Sequence, residues 1–297
     1  MTLSFERKIV DVKDVAKLSP FFSTWPGRLC AEALIRLTSY DRVNRLYEHS
    51  ISLSGAEFTS GCLDELGVDY LVGNAERLVH LPEGAFISVS NHPYGGLDGV
   101  MLIDLLAGIR PDYRLMVNKM ISRVKSMKDN LISVAPVDDN HEQDSVTNTR
   151  ALRATLTHLN GGHPAGFFPS GAVSDYSLRE RCIRDREWQA NILRLIRFVK
   201  VPIVPVRFFD SNSPFFYFLG VINWKIRLLR MPSELFNKRS RKIRVGIGNI
   251  ISVEEQKMFA DAAALGTFLR KSVYDMPLPD YFIPRSSLNL TSLQAQL

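Results

Sequence analysis

His92 and Asp98 place an imidazole and a carboxylate on one segment with five residues between them, Asn91-His92-Pro93-Tyr94-Gly95-Gly96-Leu97-Asp98-Gly99. An imidazole titrates near neutrality, so its neutral form can take a proton from an attacking hydroxyl. A carboxylate on the other ring nitrogen fixes the tautomer and stabilises the imidazolium that forms. Gly95 and Gly96 let the segment fold tightly enough for the two side chains to meet. Asp98 also stands where a helix should begin, a favoured site for negative charge. A second reading therefore stays open, in which Asp98 is a helix cap and His92 a turn residue before Pro93. No serine nucleophile elbow is present, which weighs against a Ser-His-Asp hydrolase.

A second constellation is Gly166-Phe167-Phe168-Pro169-Ser170-Gly171-Ala172-Val173-Ser174, a short apolar run ending in a turn. Backbone N–H groups of such a turn can face an oxyanion or a polar head group, and Ser170 and Ser174 add hydroxyls. An ordinary strand-ending turn is the alternative. The third is Val201-Pro202-Ile203-Val204-Pro205-Val206, where two prolines in an apolar strand imply a sheet edge or a bulge.

These segments need elements to position them. The apolar run Ala85–Ser90 precedes the His92 loop and a helical pattern from Val100 to Leu106 follows it. Strands are expected at Val68–Val72, Ala85–Ser90, Tyr113–Val117, Ile132–Val137, Gly166–Phe168, Ile203–Phe208, Phe215–Leu219 and Lys242–Ile247. Helical periods fall between several of them: Leu152, Leu156 and Leu159 form one, stopped by Asn160-Gly161-Gly162. Trp188, Ile192, Leu195 and Val199 form another. Ser252-Val253-Glu254-Glu255 opens a last helix to about Tyr274 with a capping box. Alternating strands and helices predict an α/β fold: a mixed, largely parallel sheet flanked by helices. Pro20 to Ser50 reads as an amphipathic helical element with Phe21, Phe22, Trp25 and Leu29 among Arg28, Arg36, Arg42 and Arg45. Such a helix lies in a membrane interface or packs on the domain. The expected organisation is residues 1–60 as this N-terminal element, 61–276 as the α/β domain and 277–297 as an irregular tail.

The 297 residues, 45% of them hydrophobic, suffice for one large domain with a buried core, and 23% charged residues exclude a disordered chain. A net charge of +6 and a pI of about 9.2 point to an anionic partner. The odd, scattered cysteines Cys30, Cys62 and Cys182 show no metal spacing or disulfide framework and favour a reducing compartment. The first ten residues lack a signal-peptide apolar core. Phe215 to Leu229, the longest apolar candidate for a membrane span, is broken by Lys225 and Arg227, so a membrane role would be peripheral. The run Lys238-Arg239-Ser240-Arg241-Lys242-Ile243-Arg244 fits an anionic bilayer, an acidic protein or a solvated hairpin edge. No base-stacking module or groove-reading helix accompanies the charge, so nucleic acid is not an expected partner.

In this order and spacing, the three blocks resemble the glycerophospholipid acyltransferase superfamily, the lysophosphatidate acyltransferase-like enzymes. Asn91-His92 and Asp98 match its N-H-x-x-x-x-D block, Phe168-Pro169-Ser170-Gly171 its F-P-E-G block, and Ile203-Val204-Pro205-Val206 its apolar I-V-P-V segment. The stretch from Val68 to Ile251, with Asn237-Lys238, is similar to the bacterial branch of hemolysin-like and ornithine-lipid-type acyltransferases. Three departures stand out. His92 and Asp98 are separated by five residues where the family usually has four. The family's glutamate and arginine of the second constellation are Ser170 and Val173 here, which disfavours a glycerol-3-phosphate-type acceptor. Val134–Asp139 replaces the block that usually ends in arginine, with Lys119 and Arg123 as upstream substitutes or as solvated charges.

The resemblance implies a peripheral O-acyltransferase at the cytoplasmic face of a bacterial inner membrane. His92 and Asp98 would be catalytic, and Asn91, Lys119, Arg123, Pro169, Ser170 and Gly171 would bind substrate. A fatty acyl group would pass from acyl carrier protein or coenzyme A, as co-substrate, to a lysophospholipid or lyso-aminolipid, with no bound cofactor and no metal. A thioesterase or lipid hydrolase using the same pair on water, and a silent lipid-binding protein, are the alternatives.

Overall fold

The computed structural model describes residues 8–17, 19–118, 121–134 and 141–295, with the side chains of 141–148 excepted. The helices are α1 Val12–Ala16, α2 Trp25–Leu37, α3 Tyr40–Ser50, α4 Gly55–Leu66, α5 Gly96–Leu102, α6 His141–Asn160, α7 Ala190–Val199, α8 Pro214–Ile222, α9 Trp224–Phe236, α10 Val253–Gln256, α11 Ala262–Tyr274 and α12 Leu290–Gln294. The strands are β1 Leu71–Gly73, β2 Ile87–Ser90, β3 Arg114–Asn118, β4 Leu131–Val134, β5 Ala165–Phe167, β6 Asp175–Ser177, β7 Cys182–Arg184, β8 Ile203–Phe208, β9 Arg244–Ile247 and β10 Phe282–Pro284.

Eight strands form one sheet in the order β10-β1-β9-β8-β2-β5-β3-β4. β8, β2, β5, β3 and β4 run parallel, whereas β9 is antiparallel to β8 and β10 antiparallel to β1. The expected mixed, largely parallel sheet with helices on its faces is the observed architecture. Every residue of β2 is buried, as a central parallel strand covered on both faces requires. Its side chains alternate: Ile87 and Val89 pack with Leu193, Ile196 and Leu269 of α7 and α11. Phe86 belongs to the larger core of α4 and α5, with Phe58, Leu63, Leu97 and Met101. β2 and β5 are in register at Val89 and Phe167, so the residues that follow each strand emerge at the same edge of the sheet.

Several expectations are corrected. Phe215–Leu219 is not a strand but lies in α8, which Ser213 caps through its hydroxyl on the Phe216 N–H, with Pro214 in the first turn. Proline there lacks only an N–H that would have no intrahelical acceptor. The segment Pro20–Ser50 is not one helix: a 3₁₀ turn at Pro20–Ser23 precedes α2, and Ser39 at φ +65° breaks α2 from α3. The boundary at residue 60 falls inside α4, whose Phe58, Cys62 and Leu63 sit in the main core. The tail is not irregular: β10 closes the sheet on β1, and Arg285 bonds Asp104 at 3.2 Å and also pairs with Asp64. The last helix is two, α10 and α11, although the Ser252–Glu255 capping box forms.

Pro205 lies in the sheet interior rather than at an edge, but the bulge alternative is realised. The β8–β9 register runs from Val206↔Ile247 to a bridge at Ile203↔Ile251, three residues on one strand against four on the other. The extra residue falls opposite Pro205, which has no N–H to give the ladder but whose carbonyl accepts the Gly248 N–H at 2.8 Å.

Candidate active site

The loop after β2 carries His92 and Asp98, and their separation does not keep them apart. His92 Nδ1 lies 2.8 Å from Asp98 Oδ2. Oδ2 also accepts the N–H groups of Tyr94 and Gly95, both at 2.9 Å. Among the described residues, Asp98 Oδ1 has no hydrogen-bond partner. The loop turns at Gly95, whose φ of +79° and ψ of −118° only glycine adopts readily. Asp98 lies in the first turn of α5 and is completely buried. Burial pushes its carboxyl above the ordinary carboxylate range, and the His92 ring and the two N–H groups offset this only in part.

The turn after β5 meets this loop directly. The His92 ring stacks on Phe168 with centroids 3.9 Å apart at 24°. The Ser174 N–H donates to the His92 carbonyl at 2.9 Å. Pro169 is buried beneath, its carbonyl accepting from the Gln189 N–H at 2.8 Å. Ser170 donates its hydroxyl to the Ala172 carbonyl at 2.8 Å, and the Gly171 N–H, at φ +65°, donates to the Phe168 carbonyl at 2.9 Å. The Gly171 N–H is thus spent inside its own turn. Among the described residues, the N–H groups of Ser170 and Ala172 have no such acceptor. Asn91 is a brace: its amide donates to the Phe208 carbonyl and its oxygen accepts the Phe208 N–H, both at 2.8 Å, joining the ends of β2 and β8. Arg123 is engaged elsewhere, with Asp14 at 3.1 Å, and Lys119 lies outside the described residues.

Asp185 is a site residue that the sequence did not announce. Its Oδ1 accepts the His92 N–H at 3.1 Å and the Ser174 hydroxyl at 2.6 Å, and its Oδ2 accepts the Trp188 indole N–H at 3.3 Å. Its partners are 93 and 11 residues away, so no local spacing marks it. Behind the loop, Glu234 and Lys238 form a buried pair at 3.0 Å. Burial pushes the Glu234 carboxyl up, but the Ser213 N–H, Asn237, the Ser213 hydroxyl and Lys238 outweigh it and hold the carboxyl at about 2. The basic run is therefore divided. Lys238 and Arg244 are committed to Glu234 and Asp210, while Arg239, Arg241 and Lys242 are exposed.

A proton acceptor backed by a buried carboxylate, beside a turn with free N–H donors, is suited to deprotonating a hydroxyl next to a polarised carbonyl. Among the described residues, no group of three or more His, Cys, Asp or Glu could hold a metal ion. The sequence pattern of the family described as Acyltransferase matches residues 16–278.

The chain belongs to this acyltransferase family.

Two relatives of this acyltransferase are called lyso-glycine lipid O-acyltransferase. The one from Bacteroides thetaiotaomicron is 26% identical over 249 residues, covering 82% of this chain and 88% of its own. The one from Phocaeicola vulgatus is 25% identical over 257 residues, covering 84% and 88%. The crystal structure of the 1-acyl-sn-glycerophosphate acyltransferase PlsC from Thermotoga maritima aligns with a TM-score of 0.43 at 15% identity, over 82% of this chain and 90% of that one. The acyltransferase has, among the described residues, no helix long and apolar enough to cross a membrane.

Proposed function

We propose that this acyltransferase moves a fatty acyl group from a thioester, on acyl carrier protein or coenzyme A, to the hydroxyl of a lysolipid. It would act peripherally at the anionic cytoplasmic face of an inner membrane, in membrane lipid synthesis. The observation that carries the reading is the 2.8 Å contact of His92 with the buried Asp98 at the end of β2. His92 Nε2 takes the proton of the acceptor hydroxyl as the oxygen attacks the thioester carbonyl. Asp98 balances the charge of the resulting imidazolium. The tetrahedral oxyanion is met by the free N–H groups of Ser170 and Ala172. Collapse expels the thiolate, which takes the proton back from His92, and no covalent enzyme intermediate is needed. General base catalysis contributes about 10²–10⁴-fold, and holding both substrates together supplies much of the rest.

A lyso-aminolipid is the acceptor we favour. Ser170 and Val173 stand where the resembling enzymes carry the charges that hold a phosphate, and Val173 is buried. Both relatives are called lyso-glycine lipid O-acyltransferases. Exposed Arg239, Arg241 and Lys242 suit either an acidic carrier protein or the phosphates of coenzyme A.

Purified protein given each acyl thioester and a panel of lysolipids should transfer the acyl group, and His92→Ala should abolish transfer with the fold intact. Undiminished transfer by that variant sinks the mechanism. Thioester loss at a rate indifferent to added lysolipid would make the protein a thioesterase instead. Deleting the gene should cause the monoacylated acceptor to accumulate.

A further inference from the structure

The hairpin of α8 and α9 presents an apolar face that nothing among the described residues covers. Phe215, Phe218 and Ile222 recur at helical spacing along α8 and are 53%, 58% and 59% exposed. Trp224, Leu228 and Leu229 extend the surface along α9. The inward face is the opposite in character: Phe216 and Tyr217 are buried, and Arg227 folds in to donate to the Ser174 carbonyl at 3.1 Å and to pair with Asp175. Exposed apolar surface of this extent marks an interaction site.

Charge identifies the occupant. From Ser211 to Ser233 there is no acidic residue. Lys225 stands exposed beside Trp224, with its ammonium 5.6 Å from the indole centroid, and Arg230 is partly exposed. Aromatic and aliphatic side chains with cations interspersed, and Asp175 as a neighbouring carboxylate that is already paired with Arg227 and Arg186, are what an anionic lipid interface selects. The surface also continues into the N-terminal helices. The Ser39 hydroxyl, just beyond α2, lies 3.0 Å from the Ser233 hydroxyl on α9, and α2 exposes Trp25, Leu29 and Leu37.

We propose that the α8–α9 hairpin docks the protein on an anionic lipid bilayer and couples that docking to the catalytic loop. Coupling runs through bonds from the hairpin and its approach segment: Tyr217 to the Pro93 carbonyl at 2.8 Å, Asn212 to the Tyr94 carbonyl at 3.3 Å, and Arg227 to the Ser174 carbonyl. Docking itself is independent of the reaction; only the coupling rests on the lysolipid reading.

The test floats the full-length protein with phosphatidylcholine vesicles, with and without phosphatidylglycerol, in the absence of acyl donor. The native protein should float with the anionic vesicles. The double variant Phe218→Ser, Ile222→Ser should float about tenfold less or weaker still, with an unchanged circular dichroism spectrum and melting temperature. Equal flotation by both proteins overturns the proposal. So does absence of flotation together with a concentration-dependent dimer that the variant abolishes, which would make the face a contact between copies. Acyl transfer is then measured apart from binding. A variant that transfers normally to lysolipid in detergent micelles but poorly on vesicles supports the coupling, and equal loss in both overturns it. Native protein that floats but transfers nothing refutes the acyltransfer reading and leaves the docking surface standing.

Discussion

The phenol of Tyr217 donates to the carbonyl of Pro93 at 2.8 Å, so a residue of α8 holds the position next to His92. Both groups are buried. In Tyr217→Phe the carbonyl loses its partner away from water, at a cost of about 1–3 kcal/mol. Thermal unfolding should register that loss, and the rate of acyl transfer should fall by more than the thioester KM changes, because the base moves while the binding surfaces stay. A variant of native rate would mean that the loop holds its shape without α8.

Asp98 has a pH signature of definite sign. Its folded-state pKa lies above the ordinary 3.8, because burial outweighs its partners. The folded protein thus holds this proton more tightly than the unfolded chain, and stability is lost as pH rises through the window above 3.8. Asp98→Asn removes the penalty, while the amide oxygen still accepts the Tyr94 and Gly95 N–H groups. Denaturant titrations should find the variant at least as stable as the native protein near neutrality, with an advantage that vanishes in acid. Acyl transfer should drop by about 10²–10⁴-fold. A variant that is less stable at neutral pH contradicts this balance.

Glu234 behaves in the opposite sense. Its carboxyl is held at about 2 against an ordinary 4.5, so its contribution is complete above 4.5 and is lost as pH falls toward 2. Glu234→Gln leaves the Lys238 ammonium buried without its counter-charge, at a cost of about 3–5 kcal/mol near neutrality. Acid titration of both proteins should show the difference shrinking between those pH values. A difference that is constant with pH would assign the loss to packing alone.

Gly95 and its neighbour form an internal control. Gly95→Ala places a Cβ in a backbone region that costs of order 1–3 kcal/mol, and the new carbon would lie 2.9 Å from the Met231 sulfur. It also disturbs the Gly95 N–H that fixes Asp98, so activity and melting temperature should fall together. Gly96→Ala meets nothing within 4 Å and starts α5, so both measurements should stay near native. Similar behaviour of the two variants would remove the special role assigned to the Gly95 turn.

The parts of the site that were legible in the sequence depend on neighbours along the chain. His92 and Asp98 lie within one turn, and the strand, loop and helix around them carry their own periodic signals. The end of β5 was legible for the same reason. Asp185 was not, because its role comes from contacts spread between His92 and Tyr274. Phe215–Leu219 misled because an aromatic run has strand composition. What makes it helical is the Ser213 cap and an outward apolar face, and such a face contradicts the assumption that aromatics are covered. β10 is three residues long and exists only because β1 offers it an edge. The Arg123 pairing was not legible either, because its partner Asp14 lies 109 positions earlier in a different element.

The strand order also dictates how this protein must leave the ribosome. β2, β3, β4 and β5 can pair with one another once Phe167 has been made, but the free side of β2 stays open until β8 arrives, and β1 has no neighbour until β9. A fully buried central strand therefore waits with one edge unpaired through some forty residues of synthesis, with the reacting loop attached to its end. Such late closure makes folding slow and the nascent chain prone to aggregation. Yield in a heterologous host should then depend on chaperone supply and translation speed more than on the stability of the finished enzyme.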